Sequence, residues 1–199
     1  MRVASLGSGS GGNATLVEGG GTRLLVDCGF GPRVTERRLR ALGVEPASLD
    51  ALVVTHEHVD HVRSAARLAA RHGLPVHATA GTARAWPDAP RGLRTFDAHR
   101  PLHVGALTIE PFPVVHDAAE PCQLAVSDGR FRFAVLTDTG VATPHIRRML
   151  RGCDALLLEA NHDAGMLRAG PYPRWVQDRI ASRFGHLDND QAAALLAGL

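Results

Sequence analysis

Ala51-Leu52-Val53-Val54-Thr55-His56-Glu57-His58-Val59-Asp60-His61 passes without a break from an apolar, β-branched run into four candidate metal ligands, His56, His58, Asp60 and His61. The run has the length and composition of a buried strand, and the polar cluster begins where a strand end opens into a loop. Ligands at the carboxyl end of a strand face the usual crevice of an α/β sheet. In extended backbone, side chains two apart point the same way, so His56 and His58 can converge on one cation. Asp60 and His61 are adjacent and point elsewhere, which suits a second cation nearby. A helix is predicted over Val62 to His72, closed by Gly73. Imidazole and carboxylate without thiolate suit Zn, Mn or Fe better than Ca or Mg. The competing reading is a polar surface loop that happens to collect histidines, but few structural roles pack His and Asp so densely.

Working outward, the 199 residues suit one domain, and 45% hydrophobic residues supply a core without staples. The formal charge is only +2, and all 22 basic residues are Arg because Lys is absent. Codon bias accounts for that usage, while the planar guanidinium also keeps a phosphate polymer compatible with the surface. Cys28, Cys122 and Cys153 have no CxxC spacing and read as small core residues of a reduced, cytoplasmic protein. No signal-like start and no apolar run of membrane-spanning length is present, which argues against secretion and membrane insertion.

Strand ends elsewhere carry the same kind of residue. The stretch Gly7 to Asn13 is a Gly/Ser loop between two strands, without the Lys or following helix of a nucleotide fingerprint, although its backbone amides could approach a phosphate. Thr22 to Val26 is the second strand of a hairpin and ends at Asp27. Residues 33 to 43 read as a helix, Leu74 to Ala78 as a strand, Thr82 to Trp86 as a short helix, and Pro87 to Pro101 as a surface loop. Leu107 to Glu110 and Pro111 to Val115 lead to His116. Phe131 to Thr137 pairs back on Cys122 to Ser127 and leads to Asp138. A helix near Pro144 to Arg151 precedes the strand Ala155 to Leu158, which runs into Glu159-Ala160-Asn161-His162-Asp163. His72, His77, His99, His103 and His145 lack such settings and read as surface or capping residues.

The segment Thr55 to His61, with Asp27 before it and His116 and Asp138 after it, resembles the metallo-β-lactamase superfamily. That resemblance implies a four-layer αββα sandwich with a dinuclear centre at one sheet edge. It implies that His56, His58 and His116 hold one cation and Asp60 and His61 a second, with Asp138 bridging. Asp27 would orient a ligand or the bridging water. The segments SLGSGSGGNATLVE, LLVDCGF, HDAAEP, LTDTG, LLLEANHD, GPYP and GHLDN resemble the YycJ/WalJ-like metallohydrolases across nearly the whole chain. That group includes manganese-dependent exonucleases that degrade double-stranded DNA from the 5′ end. Asp188 stands where the group has Ser, a mild change because both residues cap helices. The large insert of RNA-processing relatives and the long arm of tRNA 3′-processing enzymes have no counterpart. By the same resemblance, His186 contacts substrate or protonates the leaving group, and Asn161 and His162 are candidate substrate contacts. A helix over Asp190 to Leu196 should return through a crossover to another strand, which in relatives ends in a histidine completing the second metal. The sequence is therefore expected to be C-terminally incomplete, lacking that strand and ligand.

These readings converge on a hydrolase with two divalent cations, Zn or Mn, most simply a phosphodiesterase or 5′ exonuclease on duplex DNA that uses a metal-bridging hydroxide. Asp60 and His186 are its candidate catalytic groups. One alternative is a hydrolase of small esters, thioesters or cyclic phosphodiesters. The other is a metal-binding, non-catalytic protein whose second site is incomplete.

Overall fold

Every residue from Met1 to Leu199 is described by the structure, a computed structural model. The strand that delivers the histidines, β4, is only Ala51–Val53, flanked in parallel by β3 (Thr22–Val26) and β5 (Val76–Thr79). All three of its residues are buried, because both faces of the sheet are covered. β1 (Arg2–Gly7) and β2 (Ala14–Gly19) extend that sheet antiparallel on one side, and β6 (Arg94–Phe96) extends it parallel on the other. A second sheet has the order β11 (Ala155–Leu158), β10 (Arg132–Leu136), β9 (Cys122–Ser127), β8 (Leu107–Pro113) and β7 (Leu102–Val104).

Alternation along the strands sorts the apolar side chains into layers. Leu24 and Val26 join Val53, Ile109, Leu124 and Val135 between the two sheets, while Leu25 turns the opposite way. Leu25 and Leu52 meet Leu39 of α1 (Pro32–Ala41) and Leu68 of α3 (Ala65–His72) on the outer face of the first sheet. Ala134 and Leu136 meet Ile146 of α5 (Pro144–Leu150) and Leu195 of α8 (Asn189–Ala197) on the outer face of the second. The layers thus run helix, sheet, sheet, helix, the αββα order expected from sequence. No helix is long and apolar enough to cross a membrane.

Three local expectations are corrected. The helix over Val62 to His72 is broken into α2 (Val59–Val62) and α3, with Arg63 and Ser64 between them. The break has a cause in hydrogen bonding: Asn13 N–H donates to Asp60 O (2.7 Å), Cys28 N–H to His61 O (2.7 Å), and Ser64 N–H to Cys28 O (3.1 Å). Those contacts use helix carbonyls and an amide that a continuous helix would need. Gly73 does cap α3, at φ 69°. The Pro87 to Pro101 loop contains β6, whose Phe96 packs against the inter-sheet core. The two strands inferred around Pro111 are one, β8. β7 pairs only with Leu107 to Ile109, so Pro111 and Pro113 lie along a free edge where a missing N–H costs no ladder bond.

Gly29 fixes how closely the first sheet approaches the histidine loop. A Cβ placed there would fall on the carbonyl of Asp60, whereas one at Gly31 would meet nothing within 4 Å. Gly29→Ala is therefore expected to cost roughly 1 to 3 kcal/mol by overpacking, or about 3 to 10 °C in melting temperature. Gly31→Ala should leave the calorimetric transition unchanged.

Candidate metal centre

Five strands end at one place. Asp27 follows β3, Thr55 and His56 follow β4, His116 follows β8, Asp138 follows β10 and Glu159 follows β11. The first two arms come from one sheet and the last three from the other, so the centre sits where the strand ends of the two sheets meet. Asp27 (φ 60°) and Asp138 (φ 43°) are the only non-glycine residues with positive φ. Asp tolerates that region better than most residues, and strained backbone gathers at functional sites. Here it turns a carboxylate inward at the end of each of two strands.

The structure brings His56, His58 and His116 together with one ligand atom from each inside 4.8 Å, and does the same for His56, His61 and Asp138. His56 is common to both groups, and its ring lies 4.0 Å from that of His61 and 4.6 Å from that of His58. Each imidazole is oriented through its other nitrogen. Asp27 accepts from Thr55 N–H (2.8 Å), Thr55 O–H (2.9 Å) and His61 Nδ1 (2.8 Å). The Thr55 hydroxyl, having given its proton to Asp27, can only accept from His56 Nδ1 at 3.0 Å. His116 Nδ1 donates to Gly185 O at 3.1 Å. These three rings therefore present Nε2 to the centre. His58 is reversed: its Nε2 donates to Asp117 O at 3.2 Å, leaving Nδ1 to face His116 Nε2 at 3.2 Å.

Asp60 sits beside the second group rather than within it. Its carboxylate is 3.7 Å from His61 Nε2 and accepts from Asn13 Nδ2 at 3.3 Å. Asn13 Nδ2 also lies 3.0 Å from His61 Nε2, which ties the Gly/Ser loop to the centre. His186 faces it from the other side, with Nδ1 2.9 Å from Glu159 Oε1 and 3.2 Å from Asp138 Oδ1. Ser8, Gly9 and Ser10 join Asn13, Asp60, Asp138 and His186 around a cavity of about 340 Å³. Asn161 lines this cavity. His162 does not; its backbone bridges to Asp188 and its ring opens on a neighbouring groove.

Protonation follows from these contacts. Burial, reinforced by the charge of His61, holds His56 well below the usual imidazole range, and burial also lowers His116. Both therefore offer free lone pairs. Burial opposes charge on His186, but hydrogen bonds to Asp138 and Glu159 outweigh it and push the group up to about 10. Burial likewise opposes charge on His61, yet Asp27 and Asp138 raise it well above its ordinary value. Asp138 is held well below the carboxylate range against its burial by His186 and His61.

Of the five buried side-chain polar atoms left without hydrogen bonds, two, His56 Nε2 and Asp138 Oδ2, lie among these donors. Asp138 Oδ2 lies 2.7 Å from His61 Nε2 but outside hydrogen-bond geometry. Orphaned buried acceptors are costly, and both belong to the groups that converge. A divalent cation satisfies them, and the donor set of imidazole and carboxylate suits one.

Sequence reasoning missed Thr55, Glu159, Gly185 and Asn13 as parts of this arrangement. Glu159 carried the same signal as Asp27 and Asp138, an acid directly after an apolar strand. Gly185 acts through its carbonyl, which sequence does not mark.

A layered αββα fold with histidine and carboxylate arms at the strand ends defines a class of metallohydrolase. The chain belongs to the beta-lactamase superfamily, whose domain model matches residues 22–199, and it is a metal-dependent hydrolase of the metallo-β-lactamase fold. Within that class it is 34% identical to Exodeoxyribonuclease YycJ of Bacillus anthracis, over 99% of this chain and 76% of the relative. It is 33% identical to Exodeoxyribonuclease WalJ of Streptococcus pneumoniae, over 97% of this chain and 74% of the relative. The solved metallo-beta-lactamase fold protein YhfI from Bacillus subtilis superposes with a TM-score of 0.76 at 19% identity, covering 98% of this chain and 81% of that one.

Because Asp27 holds both Thr55 and His61, its replacement should disturb two imidazoles at once. Asp27→Asn puts an amide where His61 Nδ1 and the Thr55 hydroxyl need an acceptor, and should weaken binding of Zn or Mn by about 10- to 100-fold in calorimetric titration.

Proposed function

We propose that the protein is a phosphodiesterase that degrades double-stranded DNA from the 5′ end with two divalent cations, Zn or Mn. His56, His58 and His116 would hold one cation, and Asp60 and His61 the other, with Asp138 between them. The observation that carries this reading is the pair of donor groups sharing His56, the second of which reaches a polar cavity through Asp138, with Asp60 on the same wall. The similarity to two exodeoxyribonucleases across nearly the whole chain supports DNA as the substrate.

When bound, the cations supply Lewis-acid polarisation of a phosphodiester and lower the pKa of a water. The chain's own residues do the rest. Asp27, through Thr55 and His61, keeps the donors pointed inward before substrate arrives, so little reorganisation accompanies the reaction. The Ser8 to Ser10 loop walls the cavity where phosphate oxygens would lie. His186 is held through Nδ1 by Glu159 and Asp138, which accept from it and leave Nε2 for the departing oxygen. It therefore serves as the general acid. The surface is Arg-rich, so binding should follow the backbone and weaken with salt.

Purified protein loaded with Mn should release mononucleotides from 5′-phosphorylated duplex DNA. His186→Ala should lower kcat by about 10²- to 10⁴-fold with its metal content intact. Absence of nucleotide release, with metal confirmed bound, would remove the nuclease reading.

A further inference from the structure

Next to the metal cavity lies a second groove, of about 400 Å³, that the reaction chemistry does not use. It shares Ala160 and Asn161 with the metal cavity, so these two residues are all the lining the two spaces have in common. His162, Met166, Tyr172 and Asn189 form its other sides. Met166 and Tyr172 are 76% and 55% exposed, so both side chains are free to meet a ligand in the groove.

The groove is held rigid. Tyr172 stands between Pro171 and Pro173, which restrict the backbone on both sides. The buried side chain of Gln177 donates to the carbonyls of Tyr172 (2.9 Å) and Gly170 (3.3 Å), pinning the loop that displays the ring. Opposite, Asn161 N–H donates to Leu187 O (3.1 Å) and Asn189 N–H to His162 O (2.9 Å), which fixes the floor. Asp163 caps the helix Ala164–Ala169 by accepting from Met166 N–H, setting the position of the Met166 turn.

Its electrostatics select the occupant. No Arg lines this groove, although the chain has 22 basic residues, all Arg, and a carboxylate, Asp163, does line it. A phosphate is therefore disfavoured there and belongs in the metal cavity. A flat neutral group attached to that phosphate suits a surface of phenol ring, thioether and imidazole.

We propose that this groove is a stacking subsite for the nucleobase next to the scissile phosphate, with Tyr172 as its platform. The inference rests on the nuclease reading above and names the substrate contact that sets affinity. It does not require base identity to be read, because every base offers a π-face.

The test compares parent, Tyr172→Phe and Tyr172→Ala, each checked for an unchanged melting transition. The substrates are 5′-phosphorylated duplex DNA and the same duplex with its two 5′-terminal nucleotides abasic. Tyr172→Ala should raise KM on ordinary DNA about tenfold relative to parent, and Tyr172→Phe should not. On the abasic duplex the parent should already show the raised KM, and Tyr172→Ala should add nothing. Equal loss on both duplexes, or none on ordinary DNA, would overturn the stacking role. A parent that hydrolyses bis(p-nitrophenyl) phosphate but neither duplex would instead sink the nuclease reading on which the subsite depends.

Discussion

One buried carboxylate organises the centre. Asp27, held at φ 60° at the end of a strand, receives the amide and hydroxyl of Thr55 and the Nδ1 proton of His61, and Thr55 passes the constraint on to His56. Removing a partner from such a buried polar set costs several kcal/mol as a rule, because the groups left behind cannot reach water. The network therefore sets both the local stability and the direction of two donor nitrogens. Val54 still donates to His77 O of the neighbouring strand, and Thr55 is the first residue whose amide turns from the sheet to Asp27.

The second sheet contributes its half in the same manner but with weaker fixation. Asp138 repeats the positive φ of Asp27, and His116 is oriented by a backbone carbonyl, that of Gly185, instead of a carboxylate. Gly185 is itself packed too tightly for a side chain, since a Cβ there would collide with the carbonyls of Arg179 and Ile180. The loop bearing His186 thus positions one histidine by its backbone and supplies another by its side chain. The helix α8 that follows is anchored by a capping box between Asp188 and Gln191, the helix-capping role open to Asp at that position.

Much of this was legible in the sequence because the signals are local. A short apolar run followed by His, Asp or Glu marks a strand that ends in a polar pocket, and Asp27, His56, His116 and Asp138 all announced themselves so. The layering was expected through the family resemblance, and the alternation of Leu24, Leu25 and Val26 is how the chain builds it. What was not legible depends on partners far along the chain. The break at Arg63 and Ser64 arises from Asn13 and Cys28, the single strand through Pro111 from how far β7 extends, and the off-centre place of Asp60 from Asn13. Glu159 was visible as a strand-end acid, yet its pairing with His186, 27 residues on, was not.

The central claim is that the orphaned atoms His56 Nε2 and Asp138 Oδ2 face bound cations. Crystals grown with Mn, with diffraction recorded for anomalous scattering by the metal, test it most directly. The account predicts two peaks, one among His56, His58 and His116 and one beside His61 and Asp138 within reach of Asp60. Peaks confined to other parts of the surface, or an undisturbed centre at saturating Mn, would contradict it.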